Sequence, residues 1–463
     1  MAQVDVLVVG GGNAGLVAAM TAREAGASVV LLERGLEVSR GGNTRHTRDV
    51  RYAHAADEHT PGIYETAEFW SDLKRVAGSR PFSEELARLV IDGSRELPSW
   101  MHAHGVRWQP PLRGALNLAR TNLFFLGGGK ALVNAYYHSA IQSGVRVRYG
   151  ATVVRLRFAS RDCVGVQLEN EQGVEELTAR AIVVASGGFE ANVGWLARYW
   201  GDAAHNYIIR GTPNNDGKVL ASLLANGASP VGDPRAFHAV AVDARAPKFD
   251  GGIVTRVDSI PFGIVVNQSA QRFGDEGADL WPKRYASWGG LIASQPGQLA
   301  FSVFDSRAVG QFIPPMFHPY AANSIEDLGG MLGLDPATLC ETVTNYNDSA
   351  RGDGVLDISS LDNNHTESLD PPKSHWALPL AGPRFYAYPL RPGVTFTYMG
   401  VTVGPHARVR TLAGDEFTNV FAAGEVMAGN ILSQGYLAGF GLTIGSVFGR
   451  IAGREAAAHA AVD

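Results

Sequence analysis

Apolar residues run unbroken in some stretches of this chain and recur at helical spacing in others, and the alternation of the two patterns lays out its elements. Val4 to Val9 is apolar except for Asp5, as suits a strand buried on both faces of a parallel sheet. From Ala14 to Ala25 the apolar positions follow a helical period, and Gly26 is placed to cap that helix. A second apolar run, Ala27 to Leu32, ends in Glu33. Between the first strand and the helix stands Gly10-Gly11-Gly12-Asn13-Ala14-Gly15. The order is strand, glycine turn, helix, strand, acid.

The same reading carries down the chain. Residues 61–108 read as helical, best at Glu65–Val76 and Ser83–Ala103. Gly127-Gly128-Gly129-Lys130 opens a helix to about Ser143. Five short strands follow, Arg146–Tyr149, Val153–Phe158, Cys163–Leu168, Val174–Thr178 and Ala181–Ala185, and they read as one β-meander. The last runs into Ser186-Gly187-Gly188-Phe189, and Asn214-Asn215-Asp216-Gly217 precedes a helix over Lys218–Ala225. Residues 233–385 change character, with many aromatics, prolines and histidines, and read as an inserted second domain. Within it, Asp335-Pro336 starts a helix to about Asn347. From 386 the glycine-rich pattern returns, with the strand Val420–Ala423 ending in Gly424-Glu425 and a last helix reaching about Ala461. The predicted organisation is one domain in two parts, 1–232 and 386–463, interrupted by a second domain over 233–385.

At 463 residues the chain is too long for one small core, which agrees with two domains. A net charge of −5 gives no electrostatic case for nucleic acid. Two cysteines, Cys163 and Cys340, argue against a disulfide scaffold, an iron–sulfur cluster or a structural zinc site, and no metal site is predicted. No apolar run reaches membrane length, and Asp5 interrupts the only apolar stretch near the start. The expectation is a soluble cytoplasmic protein.

The glycine turn carries the first chemistry. Gly10 permits the tight turn, Gly12 lets the backbone approach a pyrophosphate, and Gly15 lets helix and strand pack closely. The helix start presents free N–H groups to the phosphates, and Glu33 is placed to accept from ribose hydroxyls. This unit alone suits NAD or FAD. The segment around Glu425 favours FAD, whose ribitol and isoalloxazine reach beyond the first βαβ unit. Glu425 can hold a ribitol hydroxyl, or it can serve only the dipole of the following helix. The helix after Gly441 can aim N–H groups at the pyrimidine end of the flavin. The polar loop Ser39–Arg48 falls at the carboxyl edge of the sheet, where ligands sit in such folds.

Together these motifs resemble the fumarate reductase/succinate dehydrogenase flavoprotein family. The resemblance rests on the glycine turn, Ser39-Arg40-Gly41-Gly42-Asn43-Thr44, Ser186-Gly187-Gly188-Phe189, Asn215-Asp216-Gly217, the Gln271-Arg272-Phe273 segment with Glu276, Tyr398-Met399-Gly400 and Ala422-Ala423-Gly424-Glu425. Within that family the chain is most similar to tricarballylate dehydrogenases. The shared stretches are Arg40–His46, Phe125–Lys130, Ala246–Gly252, Trp281-Pro282-Lys283-Arg284-Tyr285 and Gln434–Gly441. The resemblance spans essentially all residues. It implies an α/β fold, a Rossmann-like FAD-binding domain of the glutathione-reductase type with an inserted α+β capping domain. The cofactor residues expected are Gly10, Gly12, Asn13, Ala14, Gly15, Glu33, Arg34, Arg40, Gly41, Gly42, Asn43, Thr44, Val153, Ser186, Gly187, Asp216, Gly424, Glu425, Gly441, Leu442 and Thr443. Some members attach FAD through a histidine just before the Ser39 loop. Gly35-Leu36-Glu37-Val38 holds none, so FAD is expected to be non-covalent.

The implied reaction moves a hydride between flavin N5 and one carbon and a proton at the next, with neighbouring carboxylates held by arginine forks. Three positions depart from the family. Leu280 stands where its proton-shuttling arginine would be, Phe396 where a substrate histidine would be, and Tyr436 where a carboxylate-clamping arginine would be. Nearby groups are candidates to replace them. Arg284 or Lys283 is expected as acid/base, with His238, Arg256 and Tyr436 holding carboxylates and Tyr398 a further hydroxyl donor. Each has a plainer reading: Arg284 as a solvated ion-pair residue, His238 as a core histidine, Tyr436 as packing on the flavin. The series Arg40, Arg45, Arg48, Arg51 can attract a polyanion or simply be solvated.

The resemblance thus implies dehydrogenation of tricarballylate to cis-aconitate, with a small carboxylate substrate and a separate membrane-associated iron–sulfur/haem partner to reoxidise the flavin. The alternatives are a related flavin enzyme acting on a ketosteroid-like ketone or a precorrin, and a non-catalytic FAD electron-transfer module.

Overall fold

Hydrogen-bonded pairing sorts the apolar runs into two principal sheets. The computed structural model describes residues 4–56, 59–112, 114–116, 118–170 and 173–462. Strand β1 (Val4–Val9) lies inside a six-stranded sheet, paired in parallel with β2 (Val29–Leu32) on one side and Ala179–Val184 on the other. Arg146–Arg148 extends the sheet beyond β2, and Glu416–Ala422 extends it beyond Ala179–Val184, both in parallel. Arg408–Arg410 closes one edge antiparallel.

The five strands expected to form one meander therefore divide. Arg146–Arg148 and Ala179–Val184 join the parallel sheet, and only Thr152–Ala159, Asp162–Asn170 and Gly173–Leu177 pair antiparallel with one another. Burial explains the split. Ala181–Val184 is buried throughout, as a central parallel strand must be, whereas Thr152–Ala159 mixes buried and exposed positions.

Helix α1 (Asn13–Glu24) packs against the 23-residue helix Phe440–Val462. Glycines four apart make the contact close. A Cβ at Gly453 would lie 2.3 Å from the Ala18 carbonyl oxygen, and one at Gly449 would lie 2.7 Å from that of Ala14. The helical stretch near the start is three helices, Thr66–Ala77, Glu84–Gly93 and Leu97–Ala103. The expected Ser83–Ala103 helix is interrupted at Ser94–Glu96, where the buried Ser94 hydroxyl accepts the Ala53 N–H at 2.9 Å and Pro98 restarts the helix. Asp335 caps Pro336–Ser349 by accepting the Thr338 N–H at 2.9 Å.

The second sheet is organised on one long strand, Phe385–Thr397. Ala300–Asp305, Tyr320–Ala322 and Phe237–Asp243 pair with it antiparallel, and Ile208–Ile209 pairs in parallel. Ile264–Asn267 completes it against Ala300–Asp305. The sheet thus draws strands from before residue 233 and after residue 385, and its far end meets the first sheet at Thr397.

Gly453→Ala is expected to force α1 and the C-terminal helix apart. Such overpacking costs about 1–3 kcal/mol, and thermal denaturation will show it as a lowered Tm.

Candidate active site

The carboxyl ends of β1, β2, Ala179–Val184 and Glu416–Ala422 open onto one long cleft of about 1600 Å³, counting its open mouth. Gly10, at φ +107°, turns the chain out of β1, and a Cβ there would lie 2.3 Å from the Ala185 carbonyl oxygen. Gly15 lies against Gly10, where a Cβ would come within 1.8 Å of its carbonyl oxygen. Gly12 differs: a Cβ there would meet nothing nearer than Thr44 Oγ1 at 3.5 Å, because it faces the cleft. The Thr44 hydroxyl accepts the Asn13 N–H at 2.9 Å. The Asn13 side chain donates to the Leu442 carbonyl and the Ser446 hydroxyl, each at 3.1 Å, and so ties the glycine turn to the C-terminal helix.

Glu33 lines the cleft with its carboxylate folded beneath its own loop. It accepts the N–H groups of Gly35 at 2.5 Å and Gly41 at 3.3 Å and the Tyr137 hydroxyl at 3.1 Å. Burial raises its pKa against the pull of those donors. Arg34 reaches across the mouth to the Asn214 carbonyl at 2.7 Å and to Asp216 at 2.8 Å.

Cations crowd the other end. Arg256 pairs with Asp258 at 2.6 Å, and the Trp281 indole N–H fixes the same carboxylate at 2.8 Å. Burial is the largest single influence and works against the Arg256 charge, but Asp258, Tyr285 and Asp49 together outweigh it and raise the pKa. Arg48 lies 3.5 Å from Asp49 and 4.0 Å from Asp258; burial, then Arg256, lowers its pKa. Arg210 is buried with its Nη1 unpartnered, and among the described residues no carboxylate pairs with it. Burial first and Arg256 second push its pKa down to about 10. The same two arginines, added to burial, hold His238 well below the usual imidazole range, so its ring is neutral. That ring stacks on Tyr436 at 3.9 Å and 5°, and its Nδ1 is buried without a partner. The Tyr436 hydroxyl accepts the Gly441 N–H at 2.9 Å, which leaves its own proton to donate.

Gly10, Gly12, Asn13, Ala14, Glu33, Arg34, Gly42, Asn43, Thr44, Val153, Ser186, Gly187, Asp216, Gly424, Glu425, Gly441 and Leu442 all line the cleft, as do His238, Arg256 and Tyr436. Other expected residues stand behind it. Gly15 and Gly41 serve packing, the latter at φ +101° against Val133. Arg40 leaves the cleft for the Tyr137 ring, 4.8 Å away, and the Asn134 side chain. Thr443 donates to the Arg51 carbonyl at 2.6 Å, and Tyr398 donates to the Gly435 carbonyl.

Lys283 and Arg284 are not brought to the cleft. The short helix Trp281–Arg284 turns Lys283 onto Asp72 at 2.5 Å, and Arg284 feels Asp275, Asp279 and Glu276. The acid/base role expected of them has no geometric support. Arg210 and Tyr285, which sequence reasoning missed, line the cleft instead. No motif marks Arg210, and Tyr285 stood only as the last residue of the shared Trp281–Tyr285 stretch, with no role assigned to it. Arg48 stood out only within an arginine series whose other members turn elsewhere; Arg51, for example, is fully buried on the Ala438 carbonyl and the Tyr64 hydroxyl.

A dinucleotide fits this cleft: an open glycine cradle at the start of α1, a carboxylate and an arginine at one end, and Glu425 with the C-terminal helix further along. Fold and cleft together define an FAD-dependent oxidoreductase. The chain belongs to the family described as FAD binding domain, which matches residues 5–441. An NADH:fumarate oxidoreductase of Klebsiella pneumoniae (strain 342) is 26% identical over 98% of this chain and 48% of its own length. The chain therefore spans about half of that relative. A urocanate reductase of Eggerthella lenta is 24% identical over 99% of this chain and 75% of its own. Among solved structures, the open conformation of a flavocytochrome c3 fumarate reductase superposes with a TM-score of 0.76 at 23% identity, over 99% of this chain and 78% of that one. A 3-ketosteroid delta1-dehydrogenase from Sterolibacterium denitrificans superposes with a TM-score of 0.80 at 17% identity, over 99% and 100%. These likenesses establish the fold, a Rossmann-like FAD-binding domain with an α+β cap. No described helix is long and apolar enough to cross a membrane.

Gly12→Ala tests the cradle. The substitution is expected to leave the Tm of the apoprotein unchanged, because its Cβ has room. It should weaken FAD binding at least about tenfold, because that room belongs to the cofactor; a flavin fluorescence titration measures it.

Proposed function

We propose that this enzyme transfers hydrogen at a carbon–carbon bond flanked by carboxylates, with residues 233–385 forming the cap over the substrate. The finer reading is dehydrogenation of tricarballylate to cis-aconitate. The observation that carries it is Arg210. A buried guanidinium with an unpartnered Nη1, beside two more arginines, is an unfinished anion site. Arg48, Arg210 and Arg256 face two carboxylates, Asp49 and Asp258, so a substrate anion would restore the balance.

In this reading Arg210 and Arg48 hold substrate carboxylates, and Arg256, anchored on Asp258, holds the carboxylate beside the reacting carbons. Neutral His238 takes the proton that leaves carbon; in support, the residue lines the cleft and its buried Nδ1 has no hydrogen-bond partner. Bound FAD supplies the two-electron acceptor for the hydride. Tyr436 donates its phenolic proton to a substrate oxygen. Glu33, Arg34 and Asp216 serve the nucleotide end and Glu425 the ribitol. A separate electron-acceptor protein reoxidises the flavin.

A second reading keeps the same machinery for a ketone. The Tyr436 hydroxyl, held by the Gly441 N–H, favours it, since such a phenol suits a carbonyl oxygen. Arg210 stands against it.

Anaerobic mixing with tricarballylate, other di- and tricarboxylates, a ketosteroid and a tetrapyrrole separates these readings. Bleaching of the flavin band by tricarballylate is expected; bleaching by the ketone alone would overturn the carboxylate reading. Arg210→Met is expected to raise KM for the carboxylate roughly 10- to 100-fold, the loss of about 1.5–3 kcal/mol for a hydrogen bond to a charged group. His238→Asn should lower kcat and remove the acidic limb of the kcat/KM pH profile, since only the neutral ring accepts a proton. Burial and the two arginines place that limb below the ordinary histidine range in the free enzyme.

A further inference from the structure

Glu190 follows the Ser186–Phe189 turn and is completely buried, yet it is not part of the cleft wall. Its Oε1 accepts the Asn43 side-chain amide at 2.6 Å and that of Asn215 at 2.7 Å. Asn43 also donates to the Thr395 carbonyl at 3.0 Å and accepts the Thr212 N–H at 2.8 Å. Three segments that wall the cleft, the 41–47 loop, the 212–217 turn and the long strand, are thereby knotted at one carboxyl.

The second oxygen, Oε2, is buried and meets no amide, hydroxyl or cationic donor. The carboxyl of Glu425, the residue assigned to the ribitol above, lies within hydrogen-bonding reach of the Glu190 carboxyl, of which Oε2 is the oxygen without another partner. Glu425 in turn uses Oε1 to accept the Thr397 N–H at 2.8 Å and the Thr397 hydroxyl at 3.1 Å. The 41–47 loop presents Asn43 to the pair, the 212–217 turn Asn215 and the long strand Thr397. Among the described residues no other ionisable side chain hydrogen-bonds or ion-pairs with either carboxyl. Two adjacent carboxylates in a dry site cannot both stay ionised.

We propose that Glu190 is a positioning residue for FAD: it shares a single proton with Glu425, and that bond keeps Glu425, Asn43 and Asn215 in place along the cofactor cleft. Glu190 Oε2 and Glu425 form an acid–carboxylate hydrogen bond, stronger than a neutral one. Burial first, and for Glu425 the neighbouring carboxylate second, raise both proton affinities. The bond therefore outlasts the ordinary carboxylate range and is lost as pH rises through the raised value, when the second charge appears and the carboxyls repel. This rests on the cofactor alone and not on the carboxylate reading of the substrate.

The test titrates apoprotein with FAD from pH 6 to alkaline pH, following flavin fluorescence without substrate, for wild type, Glu190→Gln and Glu190→Ala. A glutamine keeps the acceptor for both asparagines and supplies a permanent donor to Glu425. Wild type is expected to lose affinity toward alkaline pH. Glu190→Gln should match wild type at neutral pH within about threefold and show no alkaline loss, whereas Glu190→Ala should bind about tenfold more weakly at every pH. Equal weakening by Gln and Ala at neutral pH would overturn the shared proton. So would an alkaline loss common to wild type and Glu190→Gln, or its absence from both. If Glu190→Ala does not fold, the wild-type and glutamine profiles decide alone.

Discussion

The strand Phe385–Thr397 belongs to two structures at once, and the site depends on that double duty. Along most of its length it is the spine of the second sheet. At its end, Thr397 gives both its N–H and its hydroxyl to one oxygen of Glu425, at the carboxyl edge of the first sheet. What faces the cleft near this end is hung from the same strand. Phe396 stands opposite His238, the Val394 carbonyl receives the Arg210 N–H, and the Thr395 carbonyl holds Asn43. Cofactor residues and substrate residues are thus held in one register, with no loop between them to absorb error.

On that frame the charges are unevenly matched. Asp258, fixed by Trp281, binds Arg256 and stands 4.0 Å from Arg48, while Arg210, close to the same two arginines, pairs with no carboxylate among the described residues. Burying a guanidinium without a counter-ion costs several kcal/mol. The neutral His238 ring records the same field, since the cations that suppress its protonation are the ones facing the cleft. An anion entering the cleft relieves both groups together, so its binding and the basicity of His238 are linked.

Local pattern made the nucleotide half legible. The β1–α1–β2 unit has short-range periodicity and a glycine turn whose spacing has one physical meaning, and the 420–425 strand repeats the design. Pairing partners were harder. Arg146–Arg148 and Ala179–Val184 looked like meander strands because nothing within either run says that its neighbour lies far away in the chain. Lys283 and Arg284 failed for a related reason: one short helix decides which way each side chain turns, and Asp72, some two hundred residues earlier, captures the lysine. Arg210 carries no motif at all. It reaches the cleft because Ile208–Ile209 pairs with Gly393 and Val394, a contact that no local window contains.

The glycines that let the C-terminal helix settle on α1 also set an order of events. Asn13, in the first turn of α1, bonds to Leu442 and Ser446, and Gly449 and Gly453 seat the rest of the helix on the turns that follow. About four hundred residues are synthesised between α1 and the helix that covers it, and over that interval the apolar flank of α1 and the phosphate cradle above it lack one wall. Cofactor capture is in this sense a late event in the life of a nascent chain, and until then the exposed flank is a surface for chaperones to guard.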